Sequence, residues 1–81
     1  MIDPESIQVG RCYLMQSGYV RRIIALHPGR VRYETRANAT KRAGWAWRPG
    51  IVDLKIFAAL VERSVPCDWV PETDEEANQH P

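Results

Sequence analysis

The sequence predicts a small, mainly β domain with five strands, one short helix before the last strand, and an acidic C-terminal tail outside the fold. Three observations carry that expectation. Residues 19–26 and 30–36 are two runs of strand-forming side chains that flank His27-Pro28-Gly29, a hairpin signal. Gly and Pro punctuate the chain at short intervals, at Gly10, Gly18, Pro28, Gly29, Pro49 and Gly50. Apolar residues follow a period of two along the first half and change to a helical period only from Asp53 onward.

With 81 residues, 44% hydrophobic and 26% charged, the chain has the composition of one folded domain. A domain of this size buries only about 60 to 65% of the surface its unfolded form exposes, so the core is small. Residues 1–70 form the expected domain and residues 71–81 the tail. No apolar run approaches the roughly 18 residues of a membrane span, and residues 1–5 lack the basic start and apolar block of a signal peptide. A soluble, cytoplasmic protein is expected, with no membrane partner. Two cysteines, Cys12 and Cys67, are too few for a disulfide framework. In a cytosolic chain they are expected as reduced, small buried hydrophobes. No Cys-x-x-Cys or His-x-x-x-His spacing occurs, so neither a metal site nor a cofactor is expected.

In chain order, Asp3-Pro4-Glu5-Ser6 reads as a turn, after which Ile7 and Val9 lead into a strand at residues 10–16. Cys12 and Leu14 fall on one face of that strand and Tyr13 and Met15 on the other, so both faces need cover. Ser17-Gly18 turns into strand two, whose Arg21-Arg22-Ile23-Ile24 doublets break strict alternation and require a bend or bulge. Pro28-Gly29 suits the centre of a type II turn, in a loop expected to exceed two residues because tight hairpins prefer mirror-image turns. Strand three alternates, with Val31, Tyr33 and Thr35 inward and Arg32, Glu34 and Arg36 toward solvent. Residues 37–44 are a polar connection. Residues 45–48 then form a short strand carrying Trp45 and Trp47, closed by Pro49-Gly50.

From Asp53, placed to cap, a helix of about ten residues puts Leu54, Phe57, Ala58, Val61 and Val65 on one face. The β-branched Val61 and Val65 equally suit a closing strand. After Pro66, residues 67–70 are expected as a short last strand, with Trp69 as a lid on the core.

Three hairpin strands, a long connection, a short aromatic strand and a helical turn before the last strand resemble a small SH3-like barrel of the Tudor and KOW sort. The resemblance rests on residues 10–36, chiefly 18–23 and 31–33, and the chain also resembles small bacterial proteins of this build, from which no activity carries over. It implies a five-stranded barrel and a binding role. Two functions hosted by such barrels lack their motifs: the Asp-Tyr-Gly turn of methyl-mark readers and the Val-Gln-Trp-Tyr stretch of plasmid dihydrofolate reductases are both absent.

Charge is segregated. The tail carries Glu72, Asp74, Glu75 and Glu76 with no basic residue, whereas residues 1–70 hold eleven basic and six acidic residues, net +5. Nine of the eleven cations are Arg, the side chain suited to bidentate phosphate contacts and to stacking on rings. Arg21, Arg30, Arg32, Arg36, Lys41, Arg42 and Arg48, with Trp45 or Trp47 exposed among them, form the candidate surface for single-stranded DNA or RNA. Cations neutralise phosphates there while an aromatic ring receives a base. The alternative is a peptide groove lined by Tyr13, Tyr19, Trp45 and Trp47, with Tyr33 also on offer, or a homo-oligomer that pairs sheet edges. The chain has no phosphate-binding Gly loop and no paired carboxylates at usable spacing, and nothing positions Cys12 or Cys67 against His27. A non-enzymatic binding module is the expectation.

Overall fold

In a computed structural model, described over residues 1–36 and 46–71, the chain folds as a five-stranded antiparallel sheet with one short helix before the last strand. The strands are β1 (Cys12–Met15), β2 (Val20–His27), β3 (Arg30–Arg36), β4 (Arg48–Asp53) and β5 (Val61–Val65), and the helix is α1 (Leu54–Leu60). Their order across the sheet is β4-β3-β2-β1-β5, an arrangement compatible with a small barrel-like fold.

A 3₁₀ turn, Pro4–Ser6, begins the fold. Pro occupies its first turn and the Asp3 carboxylate accepts from the Glu5 amide at 2.9 Å. Strand β1 is buried on both sides, as its apolar alternation requires. Tyr13 and Met15 join Ile7, Ile23, Val31, Phe57, Ala58 and Val61 in a main core under the helix. Cys12 and Leu14 join Val20, Val65 and Trp69 in a second cluster on the opposite face. The register of β2 against β3 shifts between Ile23 and Ala25, so the expected bulge is present.

Several elements differ from the sequence expectation. His27 pairs with Arg30, which makes the Pro28-Gly29 connection a two-residue loop. Gly29, at φ +74°, takes the left-handed position such a turn demands. The fourth strand runs through Pro49-Gly50 instead of stopping there, from Thr35 opposite Arg48 to Arg30 opposite Asp53. Because β4 ends the sheet order, a proline can be accommodated with its missing N–H away from the ladder. Gly50 is also required by its neighbour across the strand: the Tyr33 ring lies over it, and a Cβ at position 50 would stand 2.4 Å from Tyr33 Cζ.

The helix has seven residues, and Asp53 precedes it without a side-chain capping bond. Val61 and Val65 belong to β5. A register shift opposite Leu14 and Met15 adds one residue to β5. Two valines four apart, which regular alternation would place together, therefore enter different clusters, Val61 in the main core and Val65 in the second. Residues 67–70 are a turn and irregular backbone in place of a strand, with the Trp69 amide donating to Pro66 O at 2.9 Å. Trp69 and Val70 are nonetheless buried.

The cysteines are not reduced hydrophobes. Cys12 and Cys67 form a disulfide with their Cα atoms 5.1 Å apart. Their 55-residue separation placed this contact beyond any local sequence signal. Residues 66–70 are thereby strapped covalently onto β1.

The Tyr33–Gly50 contact yields a test. Gly50→Ala should destabilise the domain by about 1–3 kcal/mol, because the Tyr33 ring, held between Arg21 and Phe57, must shift. Urea unfolding would read this as a lower midpoint at unchanged slope.

Candidate nucleic-acid interface

The outward face of the sheet, opposite α1, can be built row by row from the pairing register. Strand β3 contributes Arg30, Arg32, Glu34 and Arg36. Across the strands, Arg30 stands between His27 and Asp53, Arg32 between Ala25 and Ile51, Glu34 between Arg22 and Pro49, and Arg36 beside Val20. The face divides into a covered half and an open half.

In the covered half, Arg36 is 2% exposed. Its guanidinium donates to the carbonyls of Cys67 and Trp69, each at 2.8 Å. Burial lowers its pKa from the ordinary arginine value, and the nearby Asp68 charge acts in the opposite direction. Trp47 is half-buried between two guanidinium groups, with Arg22 Cζ 4.3 Å and Arg36 Cζ 5.3 Å from the ring centroid. Arg22 also pairs with Glu34 at 2.7 Å. Arg63 lies 5.4 Å above the Trp69 ring. Each of these stacked contacts contributes on the order of 0.5–2 kcal/mol.

The open half holds Arg30 and Arg32, both exposed, with His27 and the exposed apolar side chains of Ile24 and Ile51. Neither arginine takes part in an ion pair among the described residues. His27, Arg32, Pro49, Gly50 and Ile51 line a shallow, open concavity of about 270 Å³.

The structure thus distributes the sequence candidates over different environments. Arg30 and Arg32 come together on the open face, whereas Arg36, expected there, is sealed beneath the strap. Arg21 turns to the helix side, 4.3 Å over the Tyr33 ring. Arg48 is exposed opposite Thr35, and alternation puts it on the helix side with Arg21. Lys41, Arg42 and Trp45 lie outside the described residues. Of the groove aromatics, Tyr19 is exposed, Trp47 is half-buried and Tyr13 is 3% exposed. The Tyr13 hydroxyl accepts from the Gln8 amide at 3.1 Å. Ile51 was not singled out from the sequence, because Pro49-Gly50 read as a stop, and His27 was weighed only as a partner for a cysteine. Ile24 and Leu26, which alternation from Val20 assigns to the core face, are both exposed, because the bulge after Ile23 breaks that alternation.

While Cys12 and Cys67 are joined, neither sulfur is available as a thiolate. No group of three or more His, Cys, Asp or Glu side chains that could hold a metal ion occurs among the described residues. No described helix is long and apolar enough to cross a membrane. No protein-family model matches the chain, and no curated protein or solved structure matches it either. What fold and surface define is therefore a class: a small, mainly β domain with a strapped outward face and an exposed arginine pair.

Arg36→Met should cost about 3 kcal/mol, since a buried carbonyl and a partly buried one lose a charged donor. Arg36→Lys should recover only part of that loss, because an ammonium group cannot reproduce the geometry of the guanidinium fork. Urea titration with the disulfide intact in all three proteins checks both.

Proposed function

We propose that this chain is a non-catalytic, SH3-like binding module that takes single-stranded nucleic acid on the open outward face of β2, β3 and β4. One observation carries the reading. Arg30 and Arg32 project from the same face of β3, exposed and outside any ion pair among the described residues, beside the exposed Ile24 and Ile51. Guanidinium groups at that spacing neutralise successive phosphates, and the exposed Ile51 across from Arg32 offers an apolar contact to a base. The net +5 of residues 1–70 supports the same polarity of partner. Asp53, across from Arg30, limits the local charge and favours a short contact over an extended basic track. A peptide groove has less support, because Tyr13 is buried and Trp47 is already stacked between arginines.

Titrating a roughly 20-nucleotide oligothymidylate at about 50 mM and 200 mM salt tests the reading through counterion release. Binding should weaken as salt rises. Arg30→Ala with Arg32→Ala should flatten the log–log slope by about 1.4, since each phosphate neutralised on a single strand contributes about 0.7. Absence of binding at the lower salt would remove the proposal, and salt-insensitive capture of a peptide would replace it with the adaptor reading.

A further inference from the structure

Among the described residues, the strap over residues 66–70 is held by the Cys12–Cys67 bond, the two Arg36 hydrogen bonds, the Arg63 guanidinium over Trp69, the Asp68 charge beside Arg36, and burial of Trp69 and Val70. Its non-covalent hold is opposed by the Trp69 indole N–H, which is buried without a hydrogen-bond partner among the described residues. Cys12 is 1% exposed while Cys67 is only partly buried, so Cys67 is the more accessible half of the bond. Beneath the strap, Arg36 occupies the same face of β3 as Arg30 and Arg32, and one of its guanidinium nitrogens is taken up by the strap carbonyls. In a reducing compartment a disulfide is a redox-responsive bond more often than a static staple.

We propose that the Cys12–Cys67 disulfide is a redox latch on this strap, whose two-electron reduction by a dithiol releases the strap carbonyls from Arg36 and uncovers its guanidinium beside Arg30 and Arg32, making the reduced form the stronger nucleic-acid binder. The opening rests on the strap geometry alone, and its consequence for binding rests on the function proposed above. A thiolate of the dithiol attacks Cys67 Sγ, and Cys12 leaves as a thiolate and takes up a proton. The second thiol of the reagent then displaces Cys67, so the protein gains two thiols and the reagent becomes a disulfide. Released carbonyls of Cys67 and Trp69 exchange Arg36 for water, and Trp47 is left with one of its two arginine partners.

Phenylglyoxal labelling with peptide mass spectrometry reads Arg36 directly, using the exposed Arg32 as the internal standard and circular dichroism to follow the sheet. In the oxidised protein Arg36 should label at least tenfold more slowly than Arg32. After dithiothreitol the two rates should converge while the sheet spectrum persists. Cys12→Ser with Cys67→Ser should give the open pattern without reductant. Continued protection of Arg36 in the reduced protein overturns the latch, and so does loss of the sheet on reduction, which would make the bond a staple of the whole fold. Oligothymidylate binding is measured on the same two forms. If Arg36 is released and affinity rises severalfold, the full inference stands. Equal affinity of the two forms overturns the regulation, and binding by neither overturns the nucleic-acid reading while the latch itself remains supported.

Discussion

The hydrogen bonds from Arg36 to the carbonyls of Cys67 and Trp69 determine how the outward face of this protein is built. A strap without regular secondary structure has no ladder to satisfy its own backbone, and buried carbonyls without donors are costly. Arg36 resolves this from the sheet side, with one guanidinium nitrogen serving two carbonyls of irregular chain. Its own desolvation is offset by those bonds, by the Trp47 ring and by the charge of Asp68. From that arrangement follow the cover over Leu14, Val20 and Val65 and the boundary between the closed and open halves of the face.

A domain of 81 residues with two apolar clusters, one on each side of a sheet, divides a modest hydrophobic resource. The main cluster is centred on Phe57, which meets Tyr13 edge-on at 6.1 Å and Tyr33 at 5.9 Å. The second is smaller, with Trp69 and the half-buried Trp47 as its large side chains among the described residues, and there the disulfide adds a covalent tie. Closing a loop of this length restricts the unfolded chain by about 4 kcal/mol in the loop-entropy account. The weaker side of the molecule is therefore the one fastened covalently, which gives the bond leverage over that side in particular.

Arginine content overstates the open cationic surface. Arg21, Arg22, Arg36 and Arg63 each lie over an aromatic ring, Tyr33, Trp47 or Trp69, where they act as flat covers for apolar surface. Arg30 and Arg32 remain on the open face. A charge count cannot separate these roles, since the same side chain serves as lid or as ligand depending on what the neighbouring strand places beneath it.

The sequence alone determined the β1–β3 meander, the bulge after Ile23, the left-handed Gly29 and the need to cover both faces of β1. Each follows from local alternation or from backbone geometry that only a few residue types accept. Tertiary structure decided the rest. Pro49-Gly50 stays in a strand because β4 ends the sheet and Tyr33 needs the space above Gly50. Val61 and Val65 part company because the register of β5 slips against β1. Cys12 meets Cys67, and Arg36 turns from a solvent residue into an anchor, because the chain returns across β1 after 55 residues. Periodicity says which side of a strand a residue takes, and only the packed chain determines what lies on that side.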